Sequence, residues 1–98
     1  MAGYIIGDVE VLDREAFKEY QAMVPEIIKK FGGRYLVVGG ESEVLEGEWD
    51  PHRLVILEFP SFERAREYAR SEEYGTAKAI RQRCARTNSV VVHGGEEQ

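Results

Sequence analysis

Cysteine, histidine and long apolar runs are scarce in this 98-residue sequence, and each scarcity excludes a class of protein. The single cysteine, Cys84, cannot form an intramolecular disulfide and is too little for a zinc cluster of thiolates. The two histidines, His52 and His93, lack the H-x-x-x-H spacing of helical metal ligands. No stretch approaches the roughly 18 to 20 apolar residues that span a membrane. We therefore expect no metal, no tightly bound cofactor and no membrane association.

Positive charge is also in deficit, because 13 Lys and Arg residues stand against 18 Asp and Glu residues, for a net charge of -5. Nucleic-acid binding depends on Lys and Arg neutralising phosphates, so no nucleic-acid partner is expected. The apolar share of 43% is that of an ordinary globular domain. The first residues lack the basic start of a signal peptide. The expectation is one cytoplasmic domain over residues 1–94, with a disordered polar tail at residues 95–98.

The first third of the chain predicts a strand followed by a helix. The segment Tyr4–Val11 is short and rich in β-branched residues, which is typical of a strand. Asp13 then occupies the position of a helix N-cap. Apolar residues recur every three or four positions after it, at Phe17, Tyr20, Val24, Ile27 and Phe31. Pro25 falls within this helix, so a kink or a break is expected near Met23.

The rest of the chain predicts two strands, a helix in two parts and a last strand. In order, these are a strand at 34–38 that continues at 43–45, a turn at 47–52, a strand at 53–59, a helix that Ser61 caps and Ser71 restarts, and a strand at 88–93. Cys84 lies on the apolar stripe of the second helix, so it is expected to be buried and unreactive. The β-α-β-β-α-β order predicts a ferredoxin-like α+β fold, with two helices on one face of a four-stranded antiparallel sheet.

The first and third strands carry apolar side chains on both of their faces. The wholly apolar face, which we assign to the helices, comprises Ile5, Val9, Val11, Val55, Leu57 and Phe59. The opposite face comprises Tyr4, Ile6, Asp8, Leu54, Ile56 and Glu58. An apolar face that the chain itself leaves uncovered is typical of an interface. The pattern predicts a homodimer whose sheets pack face to face as an α+β barrel, and a monomer with an open apolar sheet is the alternative.

Three segments resemble a known family. They are GGRYLVVGG at Gly32–Gly40, EVLEGEWDPHRLVILEFPS at Glu43–Ser61 and SEEYGTAKAIR at Ser71–Arg81. They closely resemble the family called domain of unknown function 1330. The resemblance implies a dimeric α+β barrel, in a ferredoxin-like superfamily that also contains small monooxygenases, dye-decolourising peroxidases and ligand-sensing domains. It implies no particular reaction, because the family has no established one.

The turn before the third strand holds the densest group of polar and aromatic residues: Trp49, His52 and Arg53. Together they offer an aromatic wall, a proton carrier and a guanidinium that can hold an anion. The alternative is structural, with Trp49 sealing the end of the barrel, His52 exposed to solvent and Arg53 paired with an acid.

Asp8 and Glu58 are predicted to share the uncovered face on neighbouring strands. Two carboxylates in a partly apolar space have their pKa values pushed apart, which separates the roles of acid and base. Asp8, Glu58 and His52 are therefore the candidate catalytic residues. The alternative is that each carboxylate pairs with an arginine such as Arg34, or with a donor across the dimer.

We expect one ligand pocket, lined by Trp49, Arg53, Glu58, Tyr74, Arg34 and Tyr35, with Asp8 and His52 nearby. Arg34 and Arg81 could each hold a carboxylate through two hydrogen bonds, although a helix-surface arginine such as Arg81 is more often solvated. Three functions stay open at this point. They are a pocket for a small organic acid or carbonyl compound (which includes a cofactor-independent enzyme), a ligand-sensing or regulatory dimer without chemistry, and a purely structural self-association module.

Overall fold

A computed structural model describes residues 1–95, so the expected tail at 95–98 lies outside the described residues apart from Gly95. The elements are β1 (Gly3–Val11), α1 (Arg14–Lys30), β2 (Arg34–Val38), β3 (Arg53–Phe59), α2 (Phe62–Arg70), α3 (Glu72–Cys84) and β4 (Ala85–His93). The strands form one antiparallel sheet in the order β2-β3-β1-β4. This is the predicted ferredoxin-like architecture. No helix in the described part of the chain is long and apolar enough to cross a membrane.

Side-chain caps place the helix boundaries where the sequence predicted them. Asp13 and Ser61 each accept a hydrogen bond from the backbone N–H three residues further on. The Ser71 hydroxyl has two roles, since it donates to the Tyr68 carbonyl at 2.8 Å and accepts from the Tyr74 N–H at 3.1 Å. It therefore ends α2 and begins α3, which confirms the predicted restart.

Helix α1 runs without a break through Pro25, so the break considered near Met23 does not occur. A proline inside a helix removes one backbone hydrogen bond and costs about 3 kcal/mol. Its neighbours Val24 and Ile28 are 4% and 2% exposed. Burial of this apolar face keeps the helix continuous despite the proline.

Two strand boundaries differ from those predicted. Residues 43–45 form no strand, and the side chain of Leu45 is 91% exposed, because no neighbouring strand pairs with this part of the loop. Strand β4 begins at Ala85 rather than at Asn88. The reason is its partner, since β1 continues to Val11 and pairs there with Ala85.

The core lies between one face of the sheet and the helices. Val9, Leu57 and Phe59 are 7%, 6% and 1% exposed, which confirms the face assigned to the helices. Tyr68 of α2 packs on Phe59 with the ring centroids 4.9 Å apart. Cys84 is 2% exposed, and its Sγ donates to the Ile80 carbonyl at 3.3 Å, so the predicted burial of the thiol is confirmed.

The opposite face of the sheet, here called the open face, has no helix over it. Strand register and the alternation of side chains place the following apolar residues on it: Tyr4, Ile6, Val37, Leu54, Ile56, Val90 and Val92. Val90 is 57% exposed, Val92 41% and Ile6 38%. Residues 1–95 leave these last three side chains more than one third exposed.

Gly33 and Gly75 provide a matched test of the core packing. A Cβ on Gly33 would lie 2.5 Å from Cε1 of the buried Phe59, whereas a Cβ on Gly75 of α3 would meet nothing within 4 Å. We expect Gly33→Ala to destabilise the fold by about 1–3 kcal/mol through overpacking. Gly75→Ala should stabilise it by about 1 kcal/mol through helix propensity. Urea unfolding followed by circular dichroism measures both, and equal midpoints for the two variants would contradict this packing.

Candidate functional site

The residues predicted to line one pocket lie on two faces of the sheet. Along β3, alternation turns Arg53 toward the helices and Glu58 toward the open face. Arg53, Tyr35 and Tyr74 line a cavity between the sheet and the helices. The other predicted residues do not line that cavity. Asp8, Arg34 and Glu58 point to the open face, whereas Trp49 and His52 belong to the loop that Asp8 binds, at the edge of the sheet. The single pocket expected from the sequence is thus divided into two separate groups.

On the open-face side, Asp8 anchors the loop between β2 and β3. Its carboxylate accepts from the His52 backbone N–H at 2.8 Å and from the Trp49 Nε1–H at 3.3 Å. The His52 ring lies between two carboxylates, with Nδ1 3.8 Å from Asp8 and Nε2 3.7 Å from Glu10. Trp49 itself is 58% exposed, so it closes no cavity in the protomer. These contacts fix the residues that immediately precede Arg53.

Glu58 is held by two donors on the same face. Arg34 contacts its Oε1 through Nε at 2.8 Å and through Nη2 at 2.7 Å, and the Tyr4 hydroxyl donates to its Oε2 at 3.0 Å. The hydrogen bonds from Arg34 and then from Tyr4 lower the pKa of the Glu58 carboxyl below its ordinary value. This is the structural alternative considered for Glu58, a carboxylate paired with an arginine.

The expected pair of interacting carboxylates is not formed. Glu58 pairs across the sheet with Tyr4, and Asp8 lies four residues further along β1, opposite Leu54. Four residues of strand place the two backbone positions about 13 Å apart. At that separation the two carboxyl groups do not contact each other. Within residues 1–95, no three His, Cys, Asp or Glu side chains come together as metal ligands would.

The inner cavity, with a volume of about 470 Å³, lies between the helix-covered face of the sheet and helices α1 and α3. Its walls are apolar residues of the core together with the tyrosines Tyr20, Tyr35, Tyr68 and Tyr74. The Tyr20 and Tyr74 hydroxyls are 2.8 Å apart, and the Tyr68 and Tyr74 rings have centroids 4.6 Å apart. Burial raises the pKa of the Tyr20 and Tyr68 hydroxyls well above the ordinary value. Tyr20 and Tyr68 therefore stay protonated and neutral.

Three cations, Arg53, Lys78 and Arg81, also line the inner cavity, whereas its lining within residues 1–95 includes no Asp, Glu or His. Arg81 is only 9% exposed, and its Nε has no hydrogen-bond partner. Its guanidinium lies 6.0 Å from the Tyr20 ring centroid, and no described acidic side chain forms an ion pair with it. The Thr87 hydroxyl in the same lining is likewise buried without a partner.

The expectation that Arg81 is a solvated residue on the helix surface is wrong, because its side chain is buried. Arg81 follows Ala77 by four positions and precedes Cys84 by three, so it lies on the buried stripe of α3. This spacing was the available signal. Lys78 and Thr87 were missed, and no motif in the sequence marks either of them.

The outer groove, about 550 Å³, adjoins the inner cavity at the start of α1. Arg14, Lys18, His52 and Glu10 line it. Four residues line both spaces: Val9, Phe17, Gln21 and Arg53. The two spaces therefore meet beside Arg53.

Sheet order, helix placement and the helix-side cavity define a ferredoxin-like α+β domain. The chain belongs to the family described as a domain of unknown function (DUF1330), whose family model matches residues 2–95, as the resemblance implied. The chain matches none of the curated proteins with which it was compared.

Solved structures share this fold at low sequence identity. A protein of unknown function from Rhodopseudomonas palustris superposes with a TM-score of 0.75 at 20% identity, over 98% of this chain and 84% of that one. A dimeric ferredoxin-like protein of unknown function from Jannaschia sp. CCS1 gives 0.67 at 14% identity, over 94% and 98%. SnoaB, a cofactor-independent oxygenase from Streptomyces nogalater, gives 0.60 at 8% identity, over 98% and 95%. Likeness at these identities shows the fold alone.

The Glu58 contacts predict a pH dependence with a definite sign. Because the pKa of Glu58 is lowered by folding, its contribution to stability is present above the ordinary value of 4.5 and is lost as the pH falls through the folded value. Arg34→Met should raise the Glu58 pKa toward 4.5, and Tyr4→Phe should raise it less, because Arg34 is the larger cause. Titration of the carboxyl carbon shift by NMR measures both. A larger rise in Tyr4→Phe than in Arg34→Met would contradict this ordering.

Proposed function

We propose that this protein binds a small organic acid in the inner cavity, with the ligand carboxylate held by Arg81. The observation that carries this proposal is the buried Arg81 side chain, for whose Nε residues 1–95 provide neither a hydrogen-bond partner nor an acidic counter-charge. A guanidinium is rarely buried unless it is paired. Leaving one unpaired costs several kcal/mol. A carboxylate in the cavity would supply both the missing charge and the missing acceptor.

The charge of the cavity supports an anionic ligand. The chain as a whole has a net charge of -5, yet the inner cavity presents Arg53, Lys78 and Arg81 and no carboxylate among its described lining residues. The unpartnered Thr87 hydroxyl can donate to a second oxygen of the same anion.

The walls of the cavity support a ligand with an apolar or aromatic body. Tyrosine rings and aliphatic side chains form most of the lining, and about 470 Å³ lies within the roughly 300–1,000 Å³ of sites for small molecules. The Tyr20 and Tyr74 hydroxyls supply a polar group inside these walls. The arrangement suits a compact acid better than a long flexible chain.

Binding without chemistry is better supported than acid–base catalysis. The described lining of the inner cavity contains no Asp, Glu or His, and burial raises the pKa of Tyr20 and Tyr68, so neither of these two hydroxyls serves as a base. Catalysis is the second candidate, and the Tyr20–Tyr74 hydroxyl pair favours it as a neutral hydrogen-bond donor to negative charge that develops on a ligand. SnoaB shows that a protein of this fold can be a cofactor-independent oxygenase.

We also propose that the protein is a homodimer joined through the open face. Contiguous apolar side chains with exposures such as 57% at Val90 mark an interface, and packing two sheets would cover them. The ferredoxin-like protein from Jannaschia sp. CCS1 is described as dimeric, which supports a dimer of this chain. Arg34, Glu58 and Asp8 would then lie at the interface, which gives them a structural role there.

Replacement of Arg81 tests the binding site. We expect a panel of small aromatic and aliphatic carboxylates to contain compounds that raise the thermal midpoint of the wild-type protein. Arg81→Met should abolish these shifts. Without ligand it should unfold no earlier than the wild type, because an unpaired buried charge has been removed.

Arg34→Met, which removes a cation from the open face, is the matched control and should keep the full ligand response. Differential scanning fluorimetry measures all three proteins. The site assignment fails if no carboxylate shifts the wild type, or if Arg81→Met responds as fully as Arg34→Met does.

A substitution that places a charged residue on the open face tests the proposed dimer. Val90→Asp should give a monomer at micromolar concentration, because the carboxylate would be buried without a partner in the interface. The variant should still fold, since Val90 is more than half exposed in one protomer. Ala22→Asp puts the same charge on the exposed side of α1 and should remain dimeric. Sedimentation equilibrium decides, and a monomeric wild type would refute the dimer.

A further inference from the structure

We infer that the ligand is a dianion, an organic acid whose second anionic group lies in the outer groove between Arg14 and Lys18. The inference rests on the proposed function, since it takes the first carboxylate to be held at Arg81. It adds the class of ligand, a dicarboxylate with a compact apolar spacer, and it assigns binding residues on α1.

The path between the two positions follows from the strand register. Val9 on β1 pairs with Thr87 on β4 and with Arg53 on β3, so these three residues form one row across the sheet. The ends of the row are two strand spacings apart, about 10 Å. Thr87 lines the inner cavity with Arg81, and Arg53 lines both the cavity and the groove. A ligand that lies along this row reaches from Arg81, beside Thr87 in the inner cavity, to Arg53 at the border of the outer groove.

Charge in the outer groove favours an anion there. Arg14, Lys18 and Arg53 line it, and Glu10 is its single acidic residue within the described chain. Glu10 has the His52 ring 3.7 Å away, which places a group able to become cationic beside it. Arg14 forms no ion pair within residues 1–95, and the partner of Lys18 is the 84%-exposed side chain of Glu15. Both α1 cations can therefore turn to a ligand at little cost.

The spacing on α1 places the two cations together. Arg14, Lys18 and Gln21 follow one another at four and three positions, which puts them on one side of the helix, and all three line the groove. Gln21 also lines the inner cavity, so this side of α1 extends from the cationic groove to the space beside the tyrosines. One helix face thus connects both halves of the site.

Two acids of matched shape test the inference. Terephthalate carries carboxylates at both ends of a benzene ring, and 4-methylbenzoate replaces one of them with a methyl group. We expect isothermal calorimetry to show that terephthalate binds the wild-type dimer about fivefold more tightly, the gain from two solvent-exposed charge contacts. The Arg14→Gln/Lys18→Gln variant should lose this advantage and bind 4-methylbenzoate as the wild type does.

The double variant Lys29→Gln/Arg70→Gln is the control, because it removes the same net charge at exposed positions away from the groove. It should keep the terephthalate advantage. Equal affinity of the wild type for the two acids, or an advantage that survives in Arg14→Gln/Lys18→Gln, overturns the dianion while leaving acid binding at Arg81 in place. If neither acid binds the wild type, the proposed function and the inference fall together.

Discussion

The alternation of side chains along β1 and β3 decides on which face of the sheet each polar residue lies. Val9, Leu57 and Phe59 must face the helices because they form the core, and this fixes the direction of every other side chain on the two strands. Arg53 consequently points into the inner cavity, while Asp8 and Glu58 point to the open face. A shift of one residue would exchange the two faces and bury carboxylates in the core, so the cavity, the groove and the apolar open face all depend on one register.

Most of the fold was predictable because its signals are local. The periodicity of the four strands, helix periodicity and the capping residues Asp13, Ser61 and Ser71 each act within a few positions of chain and agree with the structure, whereas the predicted continuation at 43–45 forms no strand. The structure differs from the prediction where contacts between residues distant in the sequence determine the bounds of an element. The start of β4 depends on the length of β1, and the continuity of α1 through Pro25 depends on burial against the sheet. Neither can be read from a window of neighbouring residues.

The candidate site was less predictable than the fold, for a physical reason. Residue type identified groups able to hold an anion, but we expected Arg53 and Glu58 in one pocket, whereas they lie on opposite faces of β3. A cavity, however, is space that packing leaves unfilled, and its place beneath α1 and α3 depends on the sizes of side chains from several elements. The burial of Arg81 has the same origin. A long side chain on the buried stripe of α3 fits there only because the facing sheet leaves a cavity for it. The distance between Asp8 and Glu58 likewise required the register.

The loop between β2 and β3 is held by hydrogen bonds at its C-terminal end but not in its middle. Its end is fixed by Asp8, which binds His52 and Trp49, whereas Leu45 in its middle is almost fully exposed. Changes in the length of such a segment cost only closure entropy, about 0.6 kcal/mol for each doubling. Insertions there can therefore accumulate during divergence, or be introduced by engineering, without disturbing the core. Because the anchored end borders the outer groove, changes in this loop can reshape the rim of the groove while the sheet and helices stay as they are.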